Sequence, residues 1–166
     1  MEKNNYLEIE RKFLVKEGAG SHFNDDPLVH DLHVVLIKQG YILNNQQFQA
    51  RIRINNGKGF MTVKSGKAGL VRYEREIEIP FDMANILLSQ CDGVIEKLRH
   101  YIEYKGHTFE VDVFRGNLEG LILAEIELHE TDEEVDLPPF IQEEVTGNPD
   151  YYNNNLIKKV QDYGNR

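Results

Sequence analysis

The sequence predicts an α+β protein: an eight-stranded antiparallel β-barrel that forms a tunnel, with flanking helices. Three observations predict it. Eight stretches read as strands, and in six of them apolar and polar residues alternate with period two, the period at which a strand sends successive side chains to opposite faces. Tight turns such as Asn55-Asn56-Gly57 and Lys105-Gly106 join several of these stretches, and tight links make neighbouring strands antiparallel. Each stretch has an apolar face, and eight such strands can close on themselves and so remove the sheet edges.

Taken in order, Leu7–Leu14 is the first strand, with Leu7, Ile9, Arg11 and Phe13 on one face and Glu8, Glu10 and Lys12 on the other. Residues 17–30, with Gly18, Gly20, Asn24, Asp25, Asp26 and Pro27, read as a loop with room for a short helix. Leu28, Leu32, Val35 and Leu36 have helical spacing, which predicts a helix over 28–37. Gln39–Leu43 is a short strand that stops at Asn44-Asn45. Phe48–Ile54 turns Phe48, Ala50, Ile52 and Ile54 to its apolar face and Gln49, Arg51 and Arg53 to the other. Beyond the hairpin turn, Gly59–Lys64 places Phe60, Thr62 and Lys64 together. The glycine-rich Ser65–Gly69 has no helix after it, which a phosphate-binding P-loop would need.

Leu70–Ile79 is the most polarised strand, with Arg72, Glu74, Glu76 and Glu78 on one face, and Pro80 stops it. Phe81–Cys91 has helical spacing and good helix formers. Two long strands follow, Val94–Tyr104 and His107–Arg115; the first carries Lys97 and Arg99, the second Glu110 and Asp112. Leu121–His129 sets Glu125, Glu127 and His129 against Ile122, Ala124, Ile126 and Leu128. Leu137-Pro138-Pro139 breaks the pattern, and Asn148-Pro149-Asp150 opens a final helix, Tyr151–Gln161.

A chain of 166 residues, 40% hydrophobic and 28% charged, suits one globular domain spanning 1–166. A single cysteine, Cys91, cannot build a disulfide framework and reads as a helix-core residue. The polar N-terminus resembles no signal peptide, no stretch is long and apolar enough to span a membrane, and the expected location is the cytoplasm. The net charge of −9 excludes general nucleic-acid binding, which needs a basic footprint, but not a polyanion held in a local basic pocket. The six histidines lack the spacing of a zinc site.

The charged strand faces are the informative feature. Any one pair of charges is what a solvated strand face looks like, but six strands repeat the polarity. If the apolar faces pack on helices outside the sheet, the charged faces point into the barrel. Arginine forks and lysine point charges in such number bind a highly charged anion. Carboxylates among them cannot bind the anion directly, but they suit a hard cation that bridges to phosphate oxygens. Acids and bases together therefore point to a metal–polyphosphate site, and phosphoryl transfer needs mostly positioning and charge stabilisation.

At these residues the chain resembles a known family. Glu8-Ile9-Glu10-Arg11-Lys12 looks like the ExExK motif of the CYTH domain, or triphosphate tunnel metalloenzymes. The likeness continues through Gln39-Gly40-Tyr41, Arg51, Arg53, Lys64, Glu74, Glu76, Lys97, Arg99, Asp112, Glu125 and Glu127 to Glu144-Val145-Thr146 and Tyr151-Tyr152-Asn153. It implies hydrolysis of a triphosphate with Mg²⁺ or Mn²⁺, and the short bacterial-type members it is most similar to are typically inorganic tripolyphosphatases. Carried over, it assigns Lys12, Arg51, Arg53, Lys64, Arg72, Lys97 and Arg99 to the phosphates. It assigns Glu8, Glu10, Asp112, Glu125 and Glu127 to metal, with Glu74 and Glu76 as further metal or water ligands. Glu8 and Lys12 are the candidates for handling the proton of the attacking water. Glu78, Glu103 and Glu110 receive no role. The implied partner is a small triphosphate, with no nucleic acid and no membrane; a homodimer is compatible with this reading. The alternatives are a class IV-type adenylate cyclase that makes cyclic AMP from ATP, and a non-catalytic polyphosphate- or nucleotide-binding module. The chain has no tryptophan, on which a thiamine triphosphatase would stack its organic moiety.

Overall fold

The structure is a computed structural model that describes residues 9–19, 23–65 and 73–164. Its strands are β1 (Ile9–Val15), β2 (Val29–Asn44), β3 (Phe48–Asn55), β4 (Lys58–Ser65), β5 (Tyr73–Ile79), β6 (Ile95–Tyr104), β7 (His107–Phe114), β8 (Ile122–Leu128) and β9 (Ile141–Glu144). Two α-helices accompany them, α1 (Phe81–Ser89) and α2 (Asn153–Gly164). The hydrogen-bonded order is β5-β4-β3-β2-β6-β7-β8-β1-β9. Each register described within it is antiparallel. An antiparallel sheet with flanking helices is what the sequence predicts. Among the described residues the strand order is not closed, and it holds nine strands rather than eight.

Two elements differ from expectation. Residues 28–37 are not a helix; β2 runs unbroken from Val29 to Asn44. Val29, Val34, Val35 and Ile37 are β-branched, which disfavours a helix and suits a strand. Leu28, Leu32 and Leu36, which suggested a helix face, are all exposed. The ninth strand, β9, pairs with β1 through Phe13 opposite Glu144 and Leu14 opposite Glu143. Four residues reading Ile-Gln-Glu-Glu are too short and too polar to show a period. The guanidinium of Arg11 locks this pair, with Nε and Nη2 donating to the two Glu144 oxygens at 2.9 and 2.7 Å.

The chain forms two compact units. One comprises Ile37–Glu96 with the segment from Asn153 onward; the other comprises Ile9–Leu36 and Lys97–Tyr152. In the first, Ile52, Ile54 and Ile79 bury one sheet face against Ala84 and Leu88 of α1. Gly59 is where that helix comes closest. A Cβ there would stand 2.6 Å from the Ala84 Cβ, so only glycine fits. In the second unit, Phe13, Ile102, Phe109, Val111, Ala124 and Ile126 form the centre of an apolar core closed by Phe23 and Phe140. Period-two alternation then fixes what the opposite strand face in each unit carries.

Candidate functional site

In the second unit that opposite face brings together residues of β1, β6, β7 and β8. Lys12 lies opposite Glu125 and Glu10 opposite Glu127. Arg99 lies opposite Asp112, and Glu110 opposite Glu125. This is not a solvated face: Lys97 is 1% exposed, Asp112 2%, Lys12 7% and Arg99 8%. Buried charges persist only when paired and hydrogen-bonded.

The pairing is dense. Asp112 Oδ2 accepts from Lys97 Nζ at 2.5 Å and from Arg99 Nη2 at 2.8 Å, while its Oδ1 accepts from Arg99 Nε at 2.7 Å. Arg99 Nη1 donates to Glu110. Lys12 Nζ sits 2.8 Å from Glu125 Oε1 and 3.6 Å from Glu10 Oε1. The Lys12 backbone N–H donates to Thr146 Oγ1 at 3.0 Å, and its ammonium lies 5.6 Å from the centre of the Tyr152 ring. Burial alone would push the Asp112 carboxyl up, but Lys97 and Arg99 outweigh it and hold it at about 2. Glu110 goes the other way: burial raises it against the pull of Arg99, and the neighbouring carboxylates Asp112, Glu125 and Glu127 add to the rise. Burial opposes the charge on Lys12, yet Glu125 and Glu10 hold its pKa above the usual lysine value.

The first unit carries a second charged face on β3, β4 and β5. Arg51 lies opposite Thr62, Thr62 opposite Glu76, and Lys64 opposite Glu74. Glu76 accepts from the Thr62 hydroxyl at 2.6 Å, from Arg53 Nη2 at 3.0 and 3.1 Å, and from Arg51 Nη2 at 3.4 Å. Burial raises the Glu76 carboxyl, but Thr62, Arg53 and Arg51 together bring it below its ordinary value. Lys64 Nζ meets Glu74 Oε2 at 2.7 Å. Among the described residues, Arg51 Nε and Gln39 Nε2 are buried without a hydrogen-bond partner, which is rare for donors in a folded protein.

Of the residues that the sequence singles out, Lys12, Glu10, Lys97, Arg99, Asp112, Glu125 and Glu127 share the face in the second unit. Arg51, Arg53, Lys64, Glu74 and Glu76 share the face in the first. Glu8 and Arg72 lie outside the described residues. Sequence reasoning passed over Glu110, although period two places it beside Asp112. It also gave no role to Thr62, whose shared face with Lys64 was legible, or to Gln39, opposite Arg53 on the neighbouring strand. Among the described residues no three His, Cys, Asp or Glu side chains converge as a ready-made metal cage. The oxygen-only donor set of Glu10, Glu125 and Glu127 nonetheless fits Mg²⁺ or Mn²⁺, since Mg²⁺ usually takes one or two carboxylates and completes its shell with water and substrate phosphates.

Buried cations interleaved with carboxylates on antiparallel strands are the chemistry of a protein that binds a highly charged anion. The sequence model of the CYTH domain matches residues 6–159, and the chain belongs to the CYTH domain family. An inorganic triphosphatase of Acetivibrio thermocellus is 42% identical over 153 residues, covering 91% of this chain and 93% of that protein. An inorganic triphosphatase of Nitrosomonas europaea is 37% identical over 158 residues, covering 92% of this chain and 98% of the relative. The crystal structure of the inorganic triphosphatase NE1496 superposes with a TM-score of 0.67 at 33% identity, over 91% of this chain and 94% of that one. No helix among the described residues is long and apolar enough to cross a membrane.

Proposed function

We propose that this protein is an inorganic triphosphatase that hydrolyses a phosphoric anhydride bond, with tripolyphosphate as its preferred substrate and Mg²⁺ or Mn²⁺ as its cofactor. The observation that carries the reading is the set of buried cations Lys12, Lys97 and Arg99 held among carboxylates on one strand face. The inorganic triphosphatases at 42% and 37% identity support it. We take residues 1–166 as one functional domain acting on a small cytoplasmic anion, without nucleic acid or membrane.

Lys12, Lys97 and Arg99, on one face of the second unit, are assigned to phosphate oxygens, where they neutralise charge on the leaving pyrophosphate; for Arg51, Arg53, Lys64 and Arg72 the same assignment rests on the sequence resemblance. Glu10, Glu125 and Glu127, with Glu8 by sequence, would hold the cation, which when bound supplies charge to the phosphate oxygens and lowers the pKa of its water. Both oxygens of Asp112 are taken by Lys97 and Arg99, so its part is to hold those cations rather than to bind metal. Glu74 and Glu76 aim Lys64 and the two arginines in the same way. A water oxygen bonds to the terminal phosphorus as the bridging P–O bond breaks in line, giving orthophosphate and pyrophosphate. Lys12 lies between Glu125 and Glu10 and supplies charge; Glu8 and Lys12 remain the two candidates for handling the water proton, Glu8 by sequence.

The grip is on phosphates. Among the described residues the ring beside Lys12 is that of Tyr152, whose centre lies 5.6 Å from the ammonium, and this contact competes with stacking by a nucleobase. With saturating Mg²⁺ or Mn²⁺, kcat/KM for tripolyphosphate is expected to exceed that for ATP by at least ~10-fold, about 1.4 kcal/mol in transition-state binding. A panel of tripolyphosphate, ATP, thiamine triphosphate and pyrophosphate, read for phosphate and cyclic AMP, checks this. Cyclic AMP as the main product would establish a cyclase, and binding without turnover would establish a binding module.

A further inference from the structure

We propose that Glu110 holds the place of a substrate phosphate on Arg99, and that a bound triphosphate takes Nη1 of the guanidinium from the Glu110 carboxylate. This rests on the triphosphatase reading and names the moving part of that site. All three guanidinium nitrogens of Arg99 are engaged by carboxylates, Nε and Nη2 by Asp112 at 2.7 and 2.8 Å and Nη1 by Glu110.

The two carboxylates are not equivalent. Asp112 is 2% exposed, and both of its oxygens accept from cations, Lys97 included. It is a fixed post. Glu110 lies two residues earlier on β7 with its side chain 37% exposed, and among the described residues that side chain's hydrogen bond is the one from Arg99. Across the β7–β8 pair it faces Glu125, and like charges directly opposite one another oppose the pairing. Arg99 thus has one fully buried partner and one partly exposed partner that faces another carboxylate. A guanidinium fork fits a phosphate oxygen as well as a carboxylate oxygen, so the exchange at Nη1 keeps the donor satisfied throughout. In the substrate-free protein, Glu110 spares a buried arginine an unpaired donor; on binding, it competes with the incoming anion.

The test is calorimetric binding of tripolyphosphate in metal-free, chelator-containing buffer, with folding of each variant checked by circular dichroism. Glu110→Gln keeps the shape of the side chain but removes the competing charge. It is expected to bind tripolyphosphate at least ~5-fold tighter than wild type, because more of the protein has Arg99 available. Glu127→Gln is the charge-matched control. It removes one carboxylate from the same face, two residues along β8 from Glu125, and is expected to gain about 2-fold or less by general electrostatics. The inference is overturned if Glu110→Gln binds no tighter than wild type, or if Glu127→Gln gains as much. A wild type that hydrolyses tripolyphosphate while Glu110→Gln shows no gain sinks this inference alone. A wild type that neither binds nor hydrolyses it sinks the triphosphatase reading as well.

Discussion

Replacing Asp112 by alanine is expected to destabilise the protein by ~3–5 kcal/mol, the range found when one partner of a buried ion pair is removed. Lys97 is 1% exposed, and Asp112 is its hydrogen-bonded counter-ion. The substitution strands that ammonium and removes two of the three carboxylate bonds on Arg99. Urea unfolding followed by circular dichroism measures the loss. The pH dependence carries a sign. The Asp112 carboxyl is depressed to about 2, so its stabilisation is complete above the unfolded-state value of about 4 and disappears as pH falls through about 2. The gap between wild type and Asp112→Ala should therefore narrow as pH falls from about 4 towards about 2. A loss below about 1 kcal/mol at neutral pH would mean that the cations do not depend on Asp112.

Glu10→Gln and Glu127→Gln are expected to act in the opposite sense on stability and strongly on rate. The two carboxylates lie directly opposite each other on β1 and β8. Neutralising either relieves like-charge repulsion worth ~0.2–1 kcal/mol, so the metal-free protein should unfold at equal or higher urea. Turnover of tripolyphosphate should fall by about 10²-fold or more, and the Mg²⁺ concentration for half-maximal rate should rise, because each variant removes an oxygen donor from the face assigned to the cation. Steady-state rates over a Mg²⁺ titration read both effects. Wild-type turnover in both variants would remove these residues from the metal site.

Much of this site is legible in the sequence because strand periodicity is local. Glu10 and Lys12, Lys97 and Arg99, and Glu125 and Glu127 each fall on one face by counting in twos, and the structure keeps every one of those assignments. Counting in twos also puts Glu110 beside Asp112, but not its bond to Arg99, which depends on β6 lying next to β7 in that register. The committed partnership of Asp112 is likewise a fact of register and burial: a carboxylate that accepts three cationic N–H bonds reads, in sequence, like any other acid on the face. The helix expected over 28–37 fails because helical spacing of leucines is a weaker signal than four β-branched residues in a segment that the sheet takes in as part of β2. Strand β9 is invisible because its hydrogen bonds and the Arg11–Glu144 pair are long-range, with no local signal in four residues.

The most direct test of the central claim, that these paired buried cations serve triphosphate hydrolysis, is phosphorus NMR of tripolyphosphate with saturating Mg²⁺. Wild type is run beside a Lys12→Met variant whose circular dichroism matches it. Lys12 is the cation of this face that Glu125 and Glu10 hold charged, and methionine keeps its length without the ammonium. With wild type, the tripolyphosphate resonances should convert to equal amounts of orthophosphate and pyrophosphate, and a chelator should stop the conversion. With Lys12→Met the rate should fall by at least ~10²-fold, as when a preorganised charge at a phosphoryl site is removed. Tripolyphosphate left intact by wild type, or cleaved at the wild-type rate by folded Lys12→Met, would contradict the account.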